Sequence, residues 1–198
     1  MNLSDLEELH YITPIANVES IIALGILSNR EIRRRKVKEV SVAAEEIQER
    51  RAPKVLPGGK PLHEYVNLYI CARNPMMYRR RSKHLEICVL RLSTNVLNLP
   101  NVVIADGNAA SDYTAFWSSP SGLAKIDKET VFAEFWTDPD PIVRLHNTRV
   151  KCAEVLVPDR VKPDLLFGAY VSSPEVEATL SQGFSSPIIV DSHLFFRG

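Results

Sequence analysis

Apolar and polar residues along the chain alternate mostly in short, strand-like runs, with only brief stretches of helical spacing. Residues 9–13, 66–72, 85–92, 101–105 and 187–190 read as strands. Residues 16–24 carry helical spacing and stop at Gly25, the residue type that most readily ends a helix. Between residues 31 and 51, charges interleave with Ile32, Val37, Val40, Val42 and Ile47, a weak helical pattern that fits an exposed, partly mobile segment. The Pro- and Gly-rich stretch 52–61 then interrupts any regular element. Residues 108–116 and 121–135 are predicted to be helical connections, closed by the Asp-Pro-rich stretch 137–141, with a last helix over 174–180. Strands outnumber long helices, and there is no βαβ alternation, repeat, low-complexity tract or linker. The expectation is a single α+β domain over residues 1–198.

One acid stands out of this pattern. In Val150-Lys-Cys-Ala-Glu-Val-Leu-Val157, read as a regular strand, Val150, Cys152, Glu154 and Leu156 share one face and Lys151, Ala153, Val155 and Val157 the other. Glu154 is then a carboxylate among apolar neighbours, where charge is costly unless something uses it. Either an Arg or Lys pairs with it as part of the structure, or it serves a substrate in a cleft.

Composition narrows the function classes. With 198 residues and 45% hydrophobic content, one core can bury roughly 70% of the unfolded surface without staples. No apolar stretch reaches the ~18 residues of a membrane span, and the acidic start lacks the regions of a signal peptide. A soluble, cytoplasmic protein without a membrane partner is therefore expected. Cys71, Cys88 and Cys152 read as reduced core residues, and the five histidines have no partners at ligand spacing, so no metal is expected. Zero net charge conceals segregation. From Arg30 to Arg91 there are 16 basic residues against 7 acidic ones, and elsewhere 8 basic against 17 acidic. Basic clusters at 30–38, 50–51 and 79–83 usually mean solvated faces, but three in one segment favour a phosphate-backbone footprint.

Four motifs then stand in series: His10-Tyr-Ile-Thr13 with Asn17 and the apolar pattern near Gly25 and Ile26; Ile47-Gln-Glu-Arg50-Arg51 leading into Val55-Leu-Pro-Gly-Gly; Tyr69-Ile-Cys-Ala-Arg73-Asn-Pro-Met76-Met-Tyr78; and Cys152-Ala-Glu154-Val-Leu-Val. Their order and spacing over residues 9–157 resemble the DarT family of bacterial DNA ADP-ribosyltransferase toxins. The resemblance implies an ADP-ribosyltransferase-like split β-sheet core with flanking helices and a central cleft for NAD, the ADP-ribose donor. It implies transfer to a base of single-stranded DNA, and a cognate antitoxin of ADP-ribosyl-glycohydrolase type that reverses the modification. It also implies roles: Glu154 and Arg51 are the catalytic residues. NAD is met by His10, Tyr11, Thr13, Asn17, Gly25, Ile26, Arg51, Tyr69, Met76 and Tyr78, and DNA by Arg50, Arg51, Arg73 and Asn108.

These residue types suit the chemistry. Breaking the nicotinamide glycosidic bond generates an oxocarbenium-like ribose, which a nearby carboxylate stabilises. A guanidinium at Arg51 can bind phosphate or present a nucleobase; the plain alternative is a surface arginine beside Glu49. Two departures from the family pattern stand out. The family's His-x-Thr is here Tyr11-Ile-Thr13, with His10 on the other face of a regular strand, so either a bulge brings His10 round or Tyr11 does part of its work. Thymidine-modifying members tend to carry His near the Asn108 position, so this chain leans to the guanine-modifying branch. A non-catalytic nucleic-acid-binding module, or the same fold acting on RNA or protein, is the alternative.

Overall fold

A computed structural model of the chain describes residues 1–38, 51, 53–56, 58 and 60–197. Its strands are β1 (Leu9–Pro14), β2 (Ile26–Leu27), β3 (Tyr65–Tyr69), β4 (Ile87–Leu92), β5 (Val103–Ala105), β6 (Phe116–Ser118), β7 (Glu154–Pro158), β8 (Arg160–Val161), β9 (Leu166–Val171) and β10 (Ile188–Val190). Its helices are α1 (Val18–Leu24), α2 (Asn29–Arg35), α3 (Pro75–Arg80), α4 (Lys128–Phe132), α5 (Pro141–Val150) and α6 (Pro174–Leu180). Among the described residues eight strands form one sheet in the order β10-β9-β4-β1-β3-β7-β5-β6, and β2 pairs with β8 apart from it. The α+β expectation holds, and β10–β9 is the parallel pair in an otherwise antiparallel sheet.

The sheet is weakest at its middle. Along β1, six residues from Leu9 to Pro14 register against β4, whereas β1 and β3 register at His10 and Tyr69. The two halves therefore part beyond this pair, which gives the split core. One face carries the large cluster of Leu9, Val66, Leu68, Leu90 and Val155 under Val18 and Ile21 of α1. Each such fully buried side chain contributes roughly 1.5–3 kcal/mol. The other face carries two smaller clusters, one with Ile12, Tyr69, Met77 and Cys152, the other with Tyr65, Ala105 and Leu156.

Gly25 ends α1 at φ +80°, and a Cβ there would lie 2.2 Å from the Val161 carbonyl oxygen. Only glycine lets β2 turn so closely onto β8.

Three sequence expectations are corrected. The stretch 137–141 opens a helix rather than closing one: Asp140 Oδ1 accepts the backbone N–H groups of Ile142 (2.7 Å) and Val143 (3.4 Å), and Pro141 takes the first helical position. Because α5 runs to Val150, β7 starts at Glu154, and Val150 belongs to the large core instead of Glu154's face. Residues 108–116 are a loop and the start of β6, and 121–135 holds only a 3-10 turn and α4.

Candidate active site

Glu154 heads β7 and registers with Tyr69 of β3 on one side and Ala105 of β5 on the other. It sits between the two smaller clusters, with Cys152 packed in one and Leu156 in the other. Its side chain is 1% exposed. Oε2 accepts a hydrogen bond from Arg51 Nη1 at 3.4 Å, and Oε1 accepts one from the Ala109 backbone N–H at 3.2 Å. Burial is the dominant influence and raises the carboxyl above its usual range, while the Arg51 charge and the Ala109 N–H work against it. The partner of the buried acid is thus Arg51, whose side chain is only 9% exposed and which the resemblance names as catalytic without pairing it to Glu154. Tyr69, buried next to the pair, has its phenol pushed well above the usual range by burial and then by the Glu154 charge.

The Ala109 donor comes from a loop that sequence reasoning read as helix. Asp106 Oδ1 accepts from the Ala115 N–H (2.9 Å) and from Arg149 Nη1 (2.7 Å), and Asn108 Oδ1 accepts from the Ala110 N–H (2.9 Å). The Asn108 N–H reaches the Arg149 carbonyl at 3.0 Å, and a Cβ at Gly107 would meet Arg149 atoms at 2.7–2.9 Å. Short polar side chains bonding their own backbone out-compete helix here. The loop is clamped to the end of α5, three residues before β7 begins, which is what aims Ala109 at Glu154. Lys151, in that three-residue turn, is 1% exposed and donates to the Val131 carbonyl at 2.7 Å, and burial lowers its pKa. It ties the start of β7 to α4.

Packing on β1 separates the predicted residues. Tyr11 lies against the large core with Leu9, and Ile12 belongs to the Tyr69 cluster on the opposite face. His10 follows the Ile12 side by strand alternation, and no bulge is needed to place it next to Tyr69. Thr13 is fully buried and its hydroxyl accepts from Asn17 Nδ2 at 3.3 Å, so these two form one unit at the start of α1. Gly25 and Ile26 border a crevice of about 10 Å³ with Ser20 and Ile32. A larger cavity of about 360 Å³, lined by Ile22, Pro163, Leu166 and residues 181–186, includes none of the predicted site residues.

After β3, Asn74 accepts the N–H groups of Met76 and Met77, both at 3.0 Å, and donates to the Cys71 carbonyl at 2.9 Å, which fixes the turn into α3. Met77 is the fully buried methionine of the pair; Met76 is partly buried at the edge of the Tyr69 cluster, and Tyr78 is 42% exposed. Arg73 donates to the His193 carbonyl at 2.6 Å. Arg50 lies outside the described residues. On α2 the basic run is partly neutralised, since Glu31 pairs with Arg34 and Arg35, and Arg30 pairs with Glu64. Among the described residues no His, Cys, Asp or Glu cluster is placed to hold a metal ion, and no helix is long and apolar enough to cross a membrane.

A residue the sequence did not single out holds His10. Glu8 Oε1 meets His10 Nε2 at 3.0 Å and accepts from the Tyr170 hydroxyl at 2.7 Å, while Oε2 accepts from Arg91 Nε at 2.6 Å. Burial works to raise the Glu8 carboxyl, but the three hydrogen bonds outweigh it and hold the pKa at about 2. A carboxyl depressed in the folded state stabilises the fold above its unfolded pKa and ceases to do so as pH falls through the folded value. Urea midpoints should therefore fall between pH 5 and pH 2 with a contribution of about 2 kcal/mol from this group. Glu8→Gln should flatten that decline, and an unchanged profile would remove the assignment.

A profile of the DarT family, described as "ssDNA thymidine ADP-ribosyltransferase, DarT", matches residues 10–196. A DNA ADP-ribosyl transferase–DNA ADP-ribosyl glycohydrolase fusion protein of Thermosipho africanus is 33% identical over 197 residues, covering 96% of this chain and 49% of its own length. The chain thus spans about half of that relative. A DNA ADP-ribosyl transferase of a Thermus species is 31% identical over 143 residues, 66% of this chain and 67% of its own. Among solved structures, Thermosipho africanus DarTG in complex with ADP-ribose superposes with a TM-score of 0.83 at 31% identity, over 96% of this chain and 51% of that one. Thermus sp. 2.9 DarT in complex with ADP-ribosylated ssDNA gives 0.80 at 25% identity, over 98% of this chain and 99% of that one. With the profile spanning nearly all of the sequence and the fold superposing on these structures, this chain belongs to the DarT family.

Proposed function

We propose that this protein transfers ADP-ribose from NAD to a base of single-stranded DNA, as the toxin of a toxin–antitoxin pair. The observation that carries the reading is the buried Glu154–Arg51 pair at the seam where the sheet halves part, with Tyr69 and His10 alongside. Glu154 holds the ribose hydroxyls, stabilises the cation left when nicotinamide departs, and takes the proton from the attacking base nitrogen. Arg51 changes partner: at 3.4 Å its bond to Glu154 is long, and turning the guanidinium to a phosphate or nucleobase frees the carboxylate for the ribose. His10, Thr13, Asn17, Gly25, Ile26 and Met76 border the dinucleotide, Tyr11 stays packed against the large core, and Arg50, Arg73 and Asn108 meet the strand. Guanine is the base this reading favours, because by the resemblance thymidine-modifying members tend to carry His near the Asn108 position. The partner is a glycohydrolase that removes the adduct, an activity the Thermosipho relative's name joins to the transferase in one chain.

Incubation with NAD and single-stranded oligonucleotides, followed by mass spectrometry of the released nucleosides, tests each level. The expected product is an ADP-ribosylated guanosine. A thymidine adduct overturns the base alone; modification of RNA or protein in preference to DNA overturns the acceptor; no adduct and no nicotinamide release overturn the enzyme.

A further inference from the structure

We propose that the corner formed by exposed Tyr78 with half-buried Trp136 and Phe196 is a stacking platform for a nucleobase flanking the acceptor base, an inference that rests on the single-stranded DNA reading above. The three rings meet edge to face: Tyr78 and Trp136 at 5.8 Å and 79°, Tyr78 and Phe196 at 5.1 Å and 80°, Trp136 and Phe196 at 5.9 Å and 89°. Mutually perpendicular rings hold one another rigid, and the Tyr78 ring, 42% exposed, stays accessible to a flat ligand. Two faces already carry planar cations. The Arg81 guanidinium lies 4.0 Å over the Tyr78 ring and that of Arg73 lies 3.9 Å over Phe196. A guanidinium over a ring takes the place a base takes in a stack; exposed Arg81 either extends such a stack or swings to a phosphate.

The charge around the corner fits a polyanion. No acid occurs between Glu64 and Glu86, while Arg73, Arg79, Arg80, Arg81 and Lys83 all fall in that interval. Of the acids next to Trp136 in the sequence, Glu134 lies 4.0 Å from Arg73 and 3.3 Å from His193, while Asp138 and Asp140 accept backbone N–H groups and keep their charge. The corner also adjoins the chemistry. Tyr78 follows Met77, which packs with Tyr69 and Cys152 directly beside Glu154. This assigns Tyr78, which the resemblance places among the residues meeting NAD, to the DNA strand instead.

Intrinsic fluorescence of the full chain reads the corner directly, because Trp136 is one of only two tryptophans. Adding a single-stranded 12-mer to Trp117→Phe protein should quench the remaining emission, whereas NAD alone or a duplex of the same sequence should not. By anisotropy, Tyr78→Ala should weaken binding of the labelled 12-mer roughly tenfold, and Tyr78→Phe, which keeps the ring, should restore it. Undisturbed Trp136 emission at 12-mer concentrations that are fully modified, quenching by NAD or equally by duplex, or wild-type affinity in Tyr78→Ala would each overturn the platform. Quenching and ring-dependent binding without any mass gain on the 12-mer would support the platform and sink the transfer reading, so the two fail separately.

Discussion

Replacing Glu154 with Gln is expected to lower ADP-ribosyl transfer by roughly 10³-fold or more, through joint loss of the proton acceptor and of the charge facing the ribose cation. Gln preserves volume and can still accept the Ala109 N–H, so the loop 106–115 and the sheet register at Tyr69 and Ala105 should persist. Affinity for single-stranded DNA should be nearly unchanged, because a side chain that is 1% exposed offers little to the strand. The measurement is initial rate by mass gain of an oligonucleotide, with a thermal melt confirming the fold. Transfer at the wild-type rate by Glu154→Gln would move catalysis to another group. A loss of activity accompanied by a lost fold in Gln but not in Glu154→Asp would assign the residue to structure.

How far the sequence reaches depends on whether each feature is local. The face of Glu154 was readable, because strand alternation needs only the next few residues, and Cys152 and Leu156 do share its side. The separation of Tyr11 from His10 and Ile12 was readable for the same reason, as was the stop at Gly25, which a positive φ and a 2.2 Å approach to Val161 make obligatory. The start of β7 was not, since a single Asp-Pro can terminate one element or cap the next, and only the exposed face of α5 beyond it decides. Nor was the loop at 106–115: Asp106, Asn108 and Ser111 bond their own backbone, and the anchor that makes this worthwhile is Arg149, more than 30 residues on. Glu8 escaped for a similar reason. Its partners Arg91 and Tyr170 come from β4 and β9, and β9 itself was not foreseen. The resemblance to a family named Arg51 and Glu154 as catalytic residues, but that the two meet across 103 positions is visible only in the structure, because spacing alone cannot provide it.

Arg51→Ala is expected to cost about 10²-fold in transfer at neutral pH, and its pH dependence separates its role from that of a surface arginine. Burial holds the Glu154 carboxyl above its usual range and the Arg51 charge is the largest influence pulling it back. Without the guanidinium the carboxyl rises further, less of it is ionised at any given pH, and the acidic limb of kcat/KM must move to higher pH. Arg51→Lys keeps the charge and should leave the limb near its wild-type place while losing the two-pronged donor. Stability follows the same sign. A carboxyl raised in the folded state favours the fold below its unfolded pKa and loses that contribution as pH rises through the folded value, because the ionised form is buried. Arg51→Ala should therefore match the wild-type urea midpoint most closely at acid pH and fall behind as pH increases, with a ceiling of about 5 kcal/mol for an unpaired buried carboxylate. A limb that stays in place in Arg51→Ala, or a stability deficit that is the same at pH 4 and pH 8, would mean that the 3.4 Å contact carries no weight in the charge state of Glu154.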